Sequence, residues 1–279
     1  MICVENKMKQ EKARNCHYWW YLCCPQKESK TNNNIYTVMK IFTKSVIASL
    51  CVAGFCSVPA FAATDKEDDP RAGTISDTRL ECYFEPCTEA PATPDKDGFI
   101  GRWTLLEPIS KPNRTNTVFT DSYLRDAFYT EYFPDQFTVV PEDGDKVKVD
   151  KQKLRWHSFD SKLYNVKLFR FASNMETDVY GVLFWAVTVI NCEEDIPDVR
   201  MSVGSNSASM WWLNGEEAVL LSGDRRMVQD DCCSRRLTLK KGKNIIRGAV
   251  INGPGMSDFC IRFVDEAGNP VTNFTITNQ

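Results

Sequence analysis

The feature that most constrains the fold of this 279-residue chain is a regular alternation of short β-type segments and turn signals, most evident after residue 150. Segments rich in β-branched and aromatic residues are separated by Gly, Pro, Asn and Asp clusters such as NGPG and EAGNP. Many short strands at even intervals are typical of antiparallel sandwiches and barrels. We therefore predict an all-β fold, an antiparallel jelly-roll β-sandwich, with a barrel as the alternative.

Within this pattern, two strands and one short helix are predicted individually. The run VLFWAVTVI from Val182 is apolar on both strand faces, which predicts a central strand covered by the opposing sheet and by a helix or loop. The segment NVKLFRFA from Asn165 is also assigned to a strand. The helix is predicted over residues 120–133, where a Thr-Asp start precedes apolar residues at helical spacing: Leu124, Ala127, Phe128 and Tyr132.

The N-terminal residues are predicted to lie outside the fold. Residues 39–62 combine two lysines, a short apolar run and an Ala-Phe-Ala motif, the pattern of a secretory signal peptide cleaved after Ala62. A membrane-spanning helix needs about 20 apolar residues, and this run is shorter. Residues 1–38 are interpreted as a start-site artefact or a disordered extension. We expect a secreted or periplasmic protein with no stable membrane span.

The composition of the remaining chain limits its partners. Residues 63–279 carry 26 Lys and Arg against 34 Asp and Glu, a net charge of −8, and such a surface repels phosphate backbones. Nucleic acid is therefore not an expected partner. Residues 63–97 are polar and lack a sustained period, which predicts a linker or loosely ordered arm before a β-sandwich domain over residues 98–279.

Six cysteines follow the leader, and an oxidising compartment favours disulfides. Cys82 and Cys87 are spaced to close a small loop, whereas the adjacent Cys232 and Cys233 would bond more readily elsewhere than to each other. The disulfide candidates are Cys82, Cys87, Cys192, Cys232, Cys233 and Cys260. No C-x-x-C spacing or neighbouring His indicates a metal site, and no cofactor is expected.

No complete catalytic motif is present. A serine hydrolase would need a G-x-S-x-G elbow, which the sequence lacks. His157 is either a base paired with Asp160 or Ser158 or a half-buried strand residue, and the missing partner motif favours the second interpretation. A glycoside hydrolase needs only two carboxylates. Candidates for such a pair, all in turns or flanking loops, are Glu216, Glu217, Asp224, Asp230 and Asp231.

The polar segment GDRRMVQDDCCSRR, residues 223–236, is the main candidate for ligand contact. Its arginines and aspartates can make directional hydrogen bonds to sugar hydroxyls from a loop at one end of the sandwich. The alternative is a salt-bridged surface loop pinned by a cysteine. We assign Asp224, Arg225 and Asp230 as candidate carbohydrate-binding residues. The alternate-Asp pattern of a calcium loop is missing.

Two adjacent tryptophans before an Asn-Gly step supply the candidate for stacking on a sugar. Asn214-Gly215 predicts a two-residue type I′ hairpin that pairs Trp211 with Ala218. Adjacent strand residues point to opposite faces, so Trp211 and Trp212 cannot both stack on one sugar ring. Trp211 is predicted to lie in the core, and Trp212 is the candidate carbohydrate platform.

Residues 199–263 and the strand GRWTLLEPI resemble a known family. Trp212-Leu213-Asn214-Gly215, followed by Leu239, Gly242 and Asn244, is similar to the jelly-roll sugar-binding-like domain that accompanies carbohydrate-active enzymes, including that of glycoside hydrolase family 2. The accessory domain of secreted acetylxylan esterases is the most similar, over residues 98–277. In that family a separate GDSL-type domain is catalytic, and its Gly-Asp-Ser and Asp-x-x-His elements do not occur in this sequence.

Three functions remain open. The first is an exported, non-catalytic module that binds xylan or a related hemicellulose, alone or beside a separate hydrolase domain or chain. The second is an acetylxylan esterase or another carbohydrate-active hydrolase, and the third is a structural sandwich that braces a partner enzyme. The missing catalytic motif favours the first, in which an aromatic ring stacks on a sugar and loop side chains hold its hydroxyls.

Overall fold

The computed structural model describes residues 78–279, which form a sandwich of two antiparallel sheets. The signal-peptide and extension predictions concern residues 1–62, which lie outside the described residues. The strands are β1 (Phe84–Pro86), β2 (Arg102–Leu106), β3 (Ile109–Ser110), β4 (Lys146–Val149), β5 (Gln152–Ser161), β6 (Val182–Cys192), β7 (Ile196–Ser205), β8 (Ala208–Leu213), β9 (Glu216–Leu221), β10 (Cys232–Cys233), β11 (Leu237–Leu239), β12 (Gly242–Asn252), β13 (Phe259–Val264), β14 (Pro270–Val271) and β15 (Thr275–Thr277).

The two sheets differ in size. The larger has ten strands in the main order β1-β5-β2-β6-β12-β8-β9, with β3 and β15 beside β6 and β4 beside β5. The smaller has five, ordered β10-β7-β13-β14, with β11 beside β7. This arrangement confirms the prediction of an all-β antiparallel sandwich. None of the helices in residues 78–279 combines the length and the apolar character needed to cross a membrane.

Strand β6 lies at the centre of the larger sheet and has an apolar layer on each side, as predicted from its two-faced apolar run. Phe184 and Ile190 belong to the inner core, the layer between the two sheets. Leu183 and Trp185 belong to the outer cluster, the layer between the larger sheet and the helix that covers it. Because both faces are buried, β6 carries no polar-apolar alternation.

The covering helix, α1 (Asp121–Tyr129), forms where its spacing predicts, although it ends before residue 133. Thr120 caps it, with its hydroxyl accepting a hydrogen bond from the Tyr123 N–H at 3.3 Å. Its buried side chains, Leu124, Ala127 and Phe128, join the outer cluster.

A second short helix, α2 (Leu168–Asn174), replaces the strand predicted for NVKLFRFA, so the prediction of a single helix is wrong. Leu168, Phe171 and Ala172 are buried in the inner core, at the i, i+3 and i+4 spacing of a helix face. An apolar run this short fits both the helix period and the strand period, and packing against the inner core decides between helix and strand.

The folded domain also begins earlier than residue 98. Strand β1 pairs with β5, and Tyr83 and Phe84 lie in the inner core, so residues 78–97 are not a loosely ordered arm. A three-residue strand is too short to show a period in the sequence. The predicted linker residues 63–77 lie outside the described part of the chain.

The β8–β9 hairpin turns at Asn214-Gly215 as predicted, and both residues have positive φ angles of 52° and 84°. A bulge then shifts the register by one residue, so that Trp211 pairs with Val219 and not with Ala218. The shift turns Val219 into the inner core, where it buries more apolar surface than Ala218 would.

All six predicted disulfide candidates are free thiols in the structure. On β10 the side chains of the adjacent cysteines point to opposite faces of the strand. Cys232 packs against the inner core, whereas the exposed Cys233 has its Sγ 3.4 Å from Ser202 Oγ. Burial raises the pKa of Cys87 to about 11 and that of Cys260 to about 12, so both are protonated thiols at neutral pH. Within residues 78–279, no three His, Cys, Asp or Glu side chains are grouped to hold a metal ion.

Candidate functional site

Several strand ends meet at one end of the sandwich. Val182, where β6 begins, pairs with Asn252 at the end of β12 and with Ser110 at the end of β3. Leu221, at the end of β9, pairs with Ser209 near the start of β8. The loops that leave these strand ends therefore lie side by side. We call this surface the loop end, formed by residues 111–120, 175–181, 222–231 and 253–258.

Hydrogen bonds between the loops hold the loop end together. Lys111 N donates to Gly181 O and Gly223 N donates to Phe119 O, both at 2.7 Å. The buried Asn252 side chain donates to a carbonyl oxygen of each of two loops, at 3.0 Å in both cases. A surface cross-linked in this way loses little conformational freedom when it binds a ligand.

An asparagine cluster lies at the centre of these loops. Asn116 Nδ2 donates to Asp224 Oδ1 at 2.8 Å and to Pro254 O at 3.1 Å. The Oδ1 atoms of Asn113 and Asn116 are buried and have no hydrogen-bond partner. Both lie against Gly253, where an added Cβ would be 2.4 Å from the first and 2.3 Å from the second. Two strong acceptors therefore face only a Cα–H group, a weak donor.

Exposed apolar side chains are concentrated on the same loops. Tyr180, with 55% of its surface exposed, has its ring centroid 5.8 Å from that of Phe169, which supports it from one side. Its neighbour Gly181 packs against Pro112 and Asn113, which places the tyrosine beside the asparagine cluster. The other exposed large apolar residues of the loop end are Val118, Val228 and Met256. Exposed apolar side chains beside polar groups are typical of binding sites.

The structure does not place Trp212 as a sugar platform. Only 4% of Trp212 is exposed, because it packs in the outer cluster under α1, with its ring stacked on Trp185 at a centroid distance of 5.7 Å. Tyr129 and Phe137 cover its remaining edges, at 6.1 and 6.4 Å. Glu217, which pairs with Trp212 across the hairpin, accepts a hydrogen bond from Tyr129 Oη at 3.0 Å.

The three polar residues predicted with Trp212 are not brought together. Asp224 is exposed and belongs to the asparagine cluster of the loop end. Arg225 forms an ion pair with Asp231 in its own loop. Asp230 forms an ion pair with Arg262, which extends from β13 of the smaller sheet. Arg225 and Asp230 therefore match the salt-bridged alternative, and Asp224 alone keeps a position suited to ligand contact.

The carboxylates considered for glycoside hydrolysis are also engaged in pairs. Burial alone would raise the pKa of Asp230, but hydrogen bonds from Arg262 Nε at 2.9 Å and Ser202 Oγ at 2.6 Å lower it overall. A hydrogen bond from Arg125 lowers the pKa of Glu217. A glycosidase acid requires the opposite shift. Of the rest, Glu216 pairs with Arg235, Asp231 with Arg225, and Asp224 with Asn116.

His157 pairs with neither Asp160 nor Ser158. Its Nε2 lies 3.0 Å from Glu107 Oε1, and its ring stacks on Phe159 at a centroid distance of 6.1 Å. The half-buried strand histidine is therefore the interpretation that the geometry supports.

A cleft of about 520 Å³ lies away from the loop end, beside β2 and β5, and Arg102 forms part of its wall. The Arg102 guanidinium donates to both oxygens of Asp160, at 2.7 and 2.6 Å, and to Ala90 O at 2.7 Å. Its charge is thus neutralised by the fold.

Three residues of the loop end were missed from the sequence: Asn113, Asn116 and Tyr180. The first two lie in KPNRTNT, whose polar residues after a proline indicate an ordered loop, and the third lies in DVYG before a predicted central strand. Neither pattern by itself indicates a binding site. The two loops become neighbours through the pairing of strands that are distant in the sequence.

No protein-family model matches the chain, and no curated protein does. Among solved structures, the PA14 domain of the MpAFP antifreeze protein is 9% identical, with a TM-score of 0.36 over 69% of this chain and 95% of that one. The PA14 sugar-binding domain from an RTX adhesin is 10% identical, with a TM-score of 0.31 over 63% and 96%. β-Glucosidase from Kluyveromyces marxianus in complex with glucose is 20% identical, with a TM-score of 0.29 over 44% of this chain and 16% of its own length. At these TM-scores, neither fold family nor ligand is carried over to this chain.

Proposed function

We propose that this chain is an exported carbohydrate-binding β-sandwich without catalytic activity, and that it binds xylan or a related hemicellulose at the loop end. The observation that carries the proposal is the pairing of an exposed tyrosine, Tyr180, with the asparagine cluster on cross-linked loops. Pyranose rings present an apolar CH face and a rim of hydroxyls, and this surface offers a complement to each. The resemblance of residues 98–277 to sugar-binding-like domains supports the same ligand class.

In this mechanism the open face of the Tyr180 ring stacks on a sugar face. The exposed Asp224 accepts a hydrogen bond from a hydroxyl, while Asn116 holds that carboxylate in place.

The test compares two exposed tyrosines in affinity gel electrophoresis with soluble xylan. We expect Tyr180→Ala to weaken retardation, with Kd raised about tenfold, because one stacking contact contributes about 1–1.5 kcal/mol. Tyr129→Ala is the matched control, because Tyr129 is 49% exposed but lies on α1, outside the loop end. That variant should migrate as the wild type does.

The reverse pattern, in which only Tyr129→Ala loses retardation, would move the site to α1 and overturn the placement at the loop end. Unretarded wild-type protein on several hemicelluloses would overturn carbohydrate binding itself.

Protein for the assay is recovered from the periplasm of a bacterial host, and its mass should correspond to a chain that begins at Ala63. Release of acetate from acetylated xylan by the purified chain would instead support the esterase.

A further inference from the structure

One face of the β4–β5 hairpin carries four cations in directly opposed pairs. The register pairs Lys146 with Arg155 and Lys148 with Lys153, so all four side chains lie on the same face. All four are exposed, whereas Leu154 on the other face is buried in the outer cluster. The charges form an array of roughly 5 Å across the strands by 7 Å along them. We call this surface the cationic face.

The four cations have no partner of opposite charge. Within residues 78–279, none of these side chains forms an ion pair or a hydrogen bond. Other exposed arginines of the sandwich do have a partner: Arg125 pairs with Glu217, Arg235 with Glu216 and Arg236 with Glu266. Like charges directly opposite each other on a sheet lower its stability. An anion bound between the strands would offset this repulsion.

The neighbouring carboxylates do not cancel the charge of the hairpin. Residues 145–155 contain five Lys and Arg against two Asp, a net charge of +3, in a chain whose net charge after the predicted leader is −8. The two are Asp145 and Asp150, which flank β4. Glu107, whose carboxylate accepts a hydrogen bond from the Arg155 N–H at 3.0 Å, brings the local charge to +2. The hairpin is therefore a positive region on an acidic protein.

Protection of an edge strand explains only half of this arrangement. Strand β4 pairs with β5 alone, so it is an edge, and lysines on an edge strand hinder pairing with another chain. Lys146 and Lys148 serve that purpose by themselves. Lys153 and Arg155 lie on β5, one strand further in, where protection of the edge requires no cation.

The cationic face lies at the same end of the sandwich as the loop end. Leu105 of β2 pairs with His157 of β5 on one side and with Ala186 of β6 on the other, so these residues are level. Both β5 and β6 run antiparallel to β2, and four residues earlier they contain Lys153 and Val182, respectively. Val182 begins β6 at the loop end, about two strand spacings or roughly 10 Å from Lys153.

We propose that the cationic face binds the carboxylates of an acidic hemicellulose, a polysaccharide with uronic-acid side groups, while the loop end holds its neutral sugars. The loop end contains six Asp and Glu against four Lys and Arg, so a carboxylate is repelled there and attracted to the hairpin. This inference rests on the proposed function, because the glycan must also occupy the loop end.

The small size of the array favours this class of partner. Four cations suit single carboxylates that are spaced along a mostly neutral polymer. A nucleic acid or an anionic membrane presents many anions at once, and the acidic remainder of the surface repels such a partner.

The test is affinity gel electrophoresis of the full mature chain with glucuronoxylan and with the same polymer after its carboxylates have been reduced to alcohols. At low ionic strength the wild type should bind the acidic polymer about fivefold more tightly, because each exposed ion pair adds a modest attraction. The preference should disappear at about 0.5 M salt, which screens exposed charges.

The variant that tests the cationic face combines Lys148→Gln with Lys153→Gln and removes one opposed pair. Its preference should fall below about twofold, with an unchanged Kd for the reduced polymer. It should melt no lower than the wild type, because repulsion between opposed cations is relieved. The matched control combines Lys241→Gln with Lys243→Gln. These exposed lysines lie at the start of β12, at the end of the sandwich opposite the loop end, and the control should keep the preference.

The outcomes separate this inference from the proposed function. Equal affinity of the wild type for the two polymers at low ionic strength would overturn the inference alone, whereas no retardation by either polymer would overturn both. A preference that survives in the hairpin variant, or that is lost in the control, would show a general charge effect and also overturn it. Binding to phosphatidylserine vesicles without a preference between the polymers would assign the cationic face to a membrane surface instead.

Discussion

The outer cluster and the loop end show that two properties differ in this protein: an accumulation of aromatic side chains, and the availability of a surface to a ligand. The outer cluster holds several large aromatic rings, including Trp156, Trp185 and Trp212, and α1 and the following loop cover all three. The loop end contributes one exposed aromatic ring, Tyr180, beside polar groups whose hydrogen-bonding capacity is unmet. A concentration of aromatic rings therefore indicates packing in this protein, whereas an exposed ring beside exposed polar groups indicates a surface available to a ligand.

The largest effect that distinguishes these regions is expected from Trp212→Ala. Deletion of a buried indole from the outer cluster should lower the free energy of unfolding by about 3–5 kcal/mol, because it leaves a cavity and removes the ring contacts of Trp212 with Trp185 and Phe137. Chemical denaturation measures this loss. Affinity for xylan, measured at a temperature where the variant remains folded, should equal that of the wild type.

The comparison fails if Trp212→Ala loses affinity and keeps its stability, since the indole would then act as a ligand platform. Trp212→Phe serves as the matched variant. It retains an aromatic ring at this position and should recover part of the stability, with unchanged affinity.

A smaller loss of stability, combined with loss of affinity, is expected from Gly253→Ala. The φ angle of Gly253 is not positive, so the residue is required for space alone, and a methyl group would collide with Asn113 Oδ1 and Asn116 Oδ1. We expect about 1–3 kcal/mol of destabilisation, and xylan binding should fall at least tenfold because both asparagines are displaced.

Gly101→Ala is the control for the glycine substitution. Its added Cβ would lie 3.4 Å from the nearest atom, Ser161 O, which is close to ordinary van der Waals contact. Stability and affinity should both stay near wild-type values. Equal loss of affinity in the two variants would show that the loop end is not specifically involved.

The smallest loss of stability is expected from Asp230→Asn. This variant separates the two roles considered for the polar segment, salt bridging and ligand contact. Asp230 has a pKa below its ordinary value in the folded state, so its contribution is fully present above the unfolded pKa of about 3.9 and is lost as pH falls through the lower folded value. The variant should be about 1–2 kcal/mol less stable than wild type at pH 6, after allowance for partial exposure.

This difference in unfolding free energy should shrink below about pH 4, where the wild-type carboxylate also becomes protonated. Urea titrations at pH 6 and at pH 3 check the sign. Xylan affinity should be unchanged in Asp230→Asn and reduced in Asp224→Asn. A loss of affinity in Asp230→Asn would return the salt-bridged residues to the binding site.

The fold was predictable where the sequence pattern is local. The Asn-Gly turn, the apolar run of β6 and the capped helix α1 each follow from residues within one segment. The helix α2 and the strand β1 were not predictable in this way, because each is short and acquires its structure by packing on the inner core. The one-residue register shift beside Trp211 likewise depends on what the partner strand buries.

The candidate site was less predictable than the fold. Asp224 was identified because it lies in a polar loop. Arg225 and Asp230 lie in the same polar segment, but they are engaged in ion pairs. Whether a charged side chain is free or paired depends on residues far away in the chain, such as Arg262 on β13. Tyr180 and Asn116 show the same limit, because they are far apart in sequence and their loops become neighbours through the pairing of β3, β6 and β12.

By itself, the sequence determined the all-β class, the central strand, the hairpin turn and the opposite orientations of Trp211 and Trp212, because the two-residue period of a strand is a local property. Tertiary structure alone decided that Trp212 is covered, that Asp230 is paired and that four distant loops form one surface. These outcomes depend on register and on which element packs over which face, and both are set by the burial of apolar area summed over the whole sandwich.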